Sequence, residues 1–341
     1  MEFIARKRLI LLPILLIVLF TLNISLGSVF IPFGDILSIL TGNEGNNPVW
    51  FDIVWDFRMT KALTCVLAGA ALAIGGLLMQ TLFRNALAGP DVLGLSSGAS
   101  LAVSLIFMSQ ASGIQFMSSP SPWAIVIAAS IGCGLVFLIV LTISQRLNDN
   151  TSLLIIGLMI GATASSLVSV LEYLSKAEDQ QSFLMWTFGS LGGLNWKELQ
   201  VLALALVIAA TLAISLTKSL NVWFMGENYS RSLGVKTRRA RVFIILAASL
   251  LTGSVTAFCG PIAFVGLAVP HLTKLLIKTN NHRVLIPAVT LAGAALMLFC
   301  DIISQLPGSG SAYILPINAI TALIGAPVVI SIIIKAKRIS V

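Results

Sequence analysis

Few side chains in this sequence have the type and spacing for chemistry. The stretch GLSSG, Gly94–Gly98, matches the serine-hydrolase pattern G-x-S-x-G, with His271 elsewhere in the chain as a base. That pattern needs a strand–turn–helix elbow to expose its serine. Here it opens an apolar segment among Ala, Gly and Ser, so it is read as a packing motif. Four cysteines, Cys65, Cys133, Cys259 and Cys300, stand singly inside apolar runs. No C-x-x-C or Cys/His spacing accompanies them, so neither a zinc site nor a disulfide frame is implied. The chain has no G-x-x-x-x-G-K-[ST] for nucleotide and no H-E-x-x-H for metal. Asp301 is the one acid well inside a late apolar run, too little for the proton relay of a secondary transporter. His271 itself lies in CGPIAFVGLAVPHLTKLL, Cys259–Leu276, which is apolar enough to enter a membrane yet holds two prolines and two glycines.

The elements that position these residues are membrane helices. Of 341 residues, 57% are hydrophobic and 10% charged. Soluble domains carry about 25% charged residues, and each membrane span needs about 20 apolar residues. Apolar runs fall at 9–27, 62–83, 92–108, 123–144, 152–173, 199–217, 242–258, 262–277, 284–303 and 315–334. The expected fold is therefore all-α and polytopic, one transmembrane domain over 1–341 with about ten spans. The basic N-terminus with its long apolar run lacks an A-x-A cleavage site and is read as an uncleaved first span. With alternating spans, 17 of the 21 Lys and Arg fall on the side of the N-terminus. The other side holds Arg58, Lys61, Lys176 and Lys197. The excess marks the cytoplasmic face, so both termini are expected inside. The net charge of +8 then reflects topology and anionic lipid, and no nucleic acid is needed as a partner. Long outer loops are expected at about 28–61 and 174–198, and a long basic inner loop at about 217–241, with one or two short surface helices. Trp186 and Trp196 suit an interfacial belt. LAGAAL occurs at Leu67–Leu72 and again at Leu291–Leu296, an echo read as chance.

Several stretches in order resemble one family, the permease subunit of type II ATP-binding-cassette (ABC) importers for ferric siderophores, haem or cobalamin. They are RMTKALTCVLAGAALAIGGLLMQ (Arg58–Gln80), RNALAGPDVLGLSSGA (Arg84–Ala99), WTFGSL (Trp186–Leu191), GENYSRSLG (Gly226–Gly234), GPIAFVGLAVPHLTK (Gly260–Lys274) and LPINAITALIGAP (Leu315–Pro327). The resemblance assigns a structural role to Asn85, Pro90, Gly94, Gly98, Gly266, Pro270, His271, Pro316, Gly325 and Pro327. It makes Glu227, Ser232, Leu233 and Gly234 the segment that couples to a separate ATPase. Arg58 and Lys61, expected in water at the outer mouth of span two, match positions that dock a substrate-binding protein; a salt bridge to Asp52 or Asp56 is the plainer reading. Asp149, Asn150 and Thr151 match the cytoplasmic gate; a simple polar turn is the other reading. The sequence departs from the family pattern at Thr60–Lys61, Ala86, Tyr229, Gln305 and Ile314.

The resemblance implies a pore-forming importer subunit, not an enzyme, in the bacterial inner membrane. It binds no cofactor itself, and ATP is used by a partner. The expected partners are a second copy of the chain, two cytoplasmic ATPase subunits, a periplasmic or lipid-anchored binding protein, and lipid. Ferric siderophore is the first expectation for the load, then haem, then cobalamin. From other classes, a proton-coupled secondary transporter needs titratable groups that are scarce here. A membrane enzyme would have only GLSSG, and a passive channel would need no ATPase.

Overall fold

The computed structural model describes residues 2–27, 29, 31–41, 48–108, 121–146, 150–234, 236–305 and 314–339. Among them all regular structure is helical. In chain order the helices are α1 (Glu2–Ser25), α2 (Phe33–Leu40), α3 (Pro48–Asp52), α4 (Thr60–Phe83), α5 (Leu95–Met108), α6 (Pro122–Arg146), α7 (Asn150–Leu174) and α8 (Ala177–Thr187). They continue as α9 (Trp196–Ser215), α10 (Thr217–Trp223), α11 (Glu227–Ser232), α12 (Thr237–Cys259), α13 (Val265–Ile277), α14 (His282–Gln305) and α15 (Ile317–Ile339). Six of them are long and apolar enough to cross a membrane, and four shorter apolar helices lie at Leu9–Ser25, Leu95–Met108, Val265–Ile277 and Ile317–Ser331. Together these take the places of the ten apolar runs. One end of the bundle carries α8, the other α10 and α11.

Helix α4 is the central element. Its apolar stretch is 78% buried, against 22% for α7. Lipid tails are as apolar as leucine, so helices in a membrane associate through close packing and not through exclusion of water. Glycines provide that closeness. A Cβ on Gly76 would overlap the Gly266 carbonyl of α13, and one on Gly69 would overlap the Gly293 carbonyl of α14. Gly98 of α5 and Gly132 of α6 meet in the same way. Gly69 and Gly293 are the glycines of the two LAGAAL copies, so the two segments meet at these residues.

The chain turns tightly after α4. Arg84 caps it in the left-handed conformation at φ 51°. The Asn85 side chain then accepts from Leu87 N at 2.9 Å, and a 3-10 turn, Pro90–Leu93, leads into α5. Gly94 has φ +75°, and a Cβ there would lie 3.0 Å from the Gly157 carbonyl of α7. Ser96 donates to Asp91 at 2.7 Å in this turn-to-helix setting, which is not the strand–turn–helix elbow of a hydrolase. Gly260, at φ +76°, and Phe264, at φ +67°, make the turn into α13. Pro270 sits inside that helix beside a half-buried His271. Gly325 of α15 packs on Phe264, Pro327 lies within α15, and Pro316 accepts the first backbone hydrogen bonds of that helix from Ala319 and Ile320.

In the region expected as a polar loop over 28–61, the described residues are largely helical. A π-helical segment, Ile53–Met59, joins α3 to α4. One helical run of 35 residues, Val49–Phe83, results. The reason is apolar periodicity: Val54 is fully buried and Ile36 and Ile39 of α2 are 2% and 1% exposed.

The glycine contacts yield a paired expectation. Gly76→Leu should lower the melting temperature of the purified chain in detergent or abolish its monodisperse elution, because overpacking a filled contact costs roughly 1–3 kcal/mol or more. Gly134→Leu, where a Cβ meets nothing within 4 Å, should leave both unchanged.

Candidate functional site

The α8 end is organised by one buried carboxylate. Asp301 of α14 is 2% exposed. Its Oδ2 accepts from Asn23 Nδ2 of α1 at 2.8 Å and from Gln305 Nε2 at 2.7 Å. Its Oδ1 pairs with Lys61 Nζ of α4 at 3.0 Å. Three helices are thus tied through one side chain. Arg58 lies one turn before Lys61 and is 8% exposed. It donates to the carbonyls of Ile24 at 2.8 Å and Ser25 at 3.1 Å, and also to that of Val29. The last carbonyls of a helix have no intrahelical donors, and the guanidinium supplies them for α1. Neither base stands free in water as the sequence reading expected, and the ion pair joins Lys61 to Asp301, not to Asp52 or Asp56. Asp56 instead accepts from Trp196 Nε1 at 3.0 Å. That tryptophan, expected as a belt residue, joins the start of α9 to the π segment. A cavity of about 650 Å³ opens here, lined by Arg58, Lys61, Asp301, Gln305 and the strand of chain at Gly189–Gly193.

The α10 end is tied by a histidine that sequence reasoning passed over. Asn221 of α10 accepts at Oδ1 from His282 N and from His282 Nδ1, both at 2.8 Å. The proton therefore belongs on Nδ1. The opposite ring nitrogen, Nε2, lies 2.9 Å from Thr81 Oγ1 of α4. Trp223, fully buried, donates through Nε1 to the Leu82 carbonyl at 3.1 Å. In α11, Ser230 donates to the carbonyls of Gly226 at 2.8 Å and Val222 at 3.1 Å. Helix α10 is thereby fastened to the ends of α4 and α14, and α11 is tied to α10 through Ser230.

The remaining expected residues fall as follows. Glu227 opens α11, with Ser232 at its end. Leu233 is 57% exposed, and Gly234 has φ +80° with open space around it. Asn150 begins α7 and Thr151 is exposed in its first turn. Asp149 lies outside the described residues. Among the described residues no group of three or more His, Cys, Asp or Glu could hold a metal ion.

Six long apolar helices and four shorter ones, with short helices at one end and a cavity at the other, make the architecture of a multi-pass membrane protein. The chain belongs to the FecCD transport family, which it matches over residues 15–335. It is 33% identical over 318 residues to the vitamin B12 import system permease protein BtuC of Escherichia coli O9:H4 (strain HS), covering 91% of this chain and 94% of that one. The BtuC of Escherichia coli K12 (strain DH10B) matches to the same extent. A solved metal-chelate type ABC transporter in an inward-facing conformation superposes with a TM-score of 0.83 at 27% identity, covering 97% of this chain and 99% of that one. The protein is a permease subunit of this transport family.

The buried ion pair can be measured by a mutant cycle. Lys61→Met leaves the buried Asp301 carboxyl with two amides and no cation, and removing one partner of such a pair costs roughly 3 kcal/mol. The melting temperature of the detergent-purified chain should fall. The double change Lys61→Met with Asp301→Asn should recover much of the loss.

Proposed function

We propose that the chain is one half of a homodimeric pore, driven by two ATPase subunits on the α10 face and fed by a substrate-binding protein on the α8 face. The observation that carries this reading is the fastening of α10 to α4 and α14 by Asn221, His282, Thr81 and Trp223, with α11 tied to α10 through Ser230. A loop bolted in this way moves with the two helices it grips. ATP-driven displacement of that loop then becomes a rocking of the bundle, which is alternating access by rigid-body motion. The weakly buried face of α7 leaves room for a second copy and for the path between the two. The family membership supports the ATPase and binding-protein partners. The charge split supports an inner-membrane orientation with the termini and the 217–241 loop in the cytoplasm.

In this reading Glu227, Ser232, Leu233 and Gly234 meet the ATPase, and Asp149, Asn150 and Thr151 close the inner exit. At the α8 face Lys61, with its side chain 17% exposed, is the base a docked carboxylate can reach; Arg58 holds the rim in shape behind it. The load is a metal chelate. Ferric siderophore and cobalamin are the leading identities, the second because the relatives above carry that name, with haem third.

The reading is tested by purifying the tagged chain from its native membrane, identifying what accompanies it, and assaying ATP-dependent uptake of ferric siderophore, haem and cobalamin in vesicles. An ATPase should accompany it and one chelate should accumulate. Uptake that follows a proton gradient without ATP would overturn it. Gly234→Val should lower uptake about tenfold at unchanged permease level, because a β-branched residue in the left-handed region costs roughly 1–2 kcal/mol. Normal uptake would remove the coupling role. A single cysteine at Lys197 should react with an impermeant thiol reagent on spheroplasts and one at Lys236 should not. The converse would invert the topology.

A further inference from the structure

A second cavity, of about 870 Å³, lies on the flank of the bundle between α9 and α14, at the α10 end. Its walls are mostly apolar, with Ile74, Ala210, Ile214, Ile286 and Leu291 among them. Its mouth carries Lys218 and Arg283, both exposed. Neither forms an ion pair among the described residues. Along α14 the groove runs from Arg283 to Leu291, about 12 Å at 1.5 Å per residue. One leaflet of hydrocarbon is about 15 Å deep, half of a 30 Å core. Apolar walls of nearly that depth under two unpaired cations match an acyl chain topped by an anionic headgroup. Neither a free anion nor a neutral lipid uses both halves of the groove.

We propose that the groove between α9 and α14 is a binding site for one acidic phospholipid, its phosphate held by Lys218 and Arg283 and its acyl chains lying along Ile286 and Leu291. Basic pockets between membrane helices are suited to anionic headgroups, and each base near the surface adds attraction. The site has a functional position. His282, which grips α10 through Asn221 and α4 through Thr81, lines the same groove. A bound lipid therefore braces the corner where the α10–α11 loop meets the bundle. The orientation proposed above decides only which leaflet supplies the lipid; binding itself does not depend on it.

The test uses the full-length chain purified in mild detergent, titrated with dioleoyl phosphatidylglycerol or dioleoyl phosphatidylcholine and read by native mass spectrometry. The wild type should retain one phosphatidylglycerol at least about tenfold more tightly than phosphatidylcholine, as expected for two headgroup-directed charges. Lys218→Gln with Arg283→Gln should erase that preference. Both sites are exposed, so an unchanged melting temperature is expected and serves as the folding control. Lys236→Gln with Arg239→Gln, which removes two exposed charges from the same end, should leave the preference intact. Ile286→Trp should weaken retention of both lipids by filling the acyl channel. Equal retention of the two lipids by the wild type would overturn the proposal. So would undiminished preference in the Lys218/Arg283 variant, or equal loss in the Lys236/Arg239 variant. Competition by millimolar inorganic phosphate that empties the site would show an anion site without an acyl component, and would also overturn it.

Discussion

Close approach of backbone to backbone at α4 is the constraint on which the rest of the bundle depends. A helix can be surrounded in lipid only if its neighbours come near enough for dispersion to hold them. Gly69 and Gly76 permit that on two sides, against α14 and α13. The polar residues of α4 are compatible with burial because each is satisfied within the protein, as a backbone or side chain away from water must be. Thr64 returns its hydroxyl to the carbonyl of Thr60, four residues earlier, and Thr81 lies within hydrogen-bond distance of both the Leu77 carbonyl and His282 Nε2. Gln80 reaches α13 instead, donating to the Leu267 carbonyl at 3.0 Å. With α4 filled in this way, α7 is the least covered of the six long spans, and the asymmetry gives the molecule a buried middle and an open side.

Polar contacts are concentrated at the two ends of this packed middle. Asp301 with Lys61, Asn23 and Gln305 closes one end, and Asn221 with His282, Thr81 and Trp223 closes the other. Helices α4 and α14 take part in both. They run through the bundle in contact with each other, so a displacement at one end has a direct mechanical route to the other. Coupling through packed rigid elements of this kind needs no charged residue in between, and the apolar sequence of α4 from Ala68 to Met79 provides none.

The spans were legible because hydropathy is a local property, summed over many residues. The site was legible only in part. Asp301 drew notice as a lone acid, but its partners come from α1, α4 and its own helix, and Asn23 lies 278 residues away in sequence. Arg58 was read as an exposed base because its neighbours Asp52 and Asp56 are polar; its burial comes from α1 ending against it, which no local pattern records. Of the two histidines, His271 stood within a recognisable motif, whereas His282 follows two asparagines in a stretch that reads as a loop. Its partners were visible only after α10 and α4 were brought together. That the two LAGAAL segments meet through Gly69 and Gly293 was not legible, because small residues permit close packing without naming the partner.

Helices α5 and α13, of 14 and 13 residues, have a bearing on how the chain is made. At 1.5 Å per residue each reaches about 20 Å, well short of a hydrocarbon layer about 30 Å thick. Neither can settle in bare lipid with its ends satisfied, since exposed peptide groups there are costly. Their ends are covered by protein: Pro90 lies against Gly266, and Asn318 receives Ala263 N at 3.1 Å. During synthesis these two segments must therefore wait beside the insertion machinery, or remain paired with an adjacent long helix, until their covering residues emerge. For α13 that cover is Asn318, 55 residues further along the chain, so its final depth in the membrane is set late, by the arrival of α15.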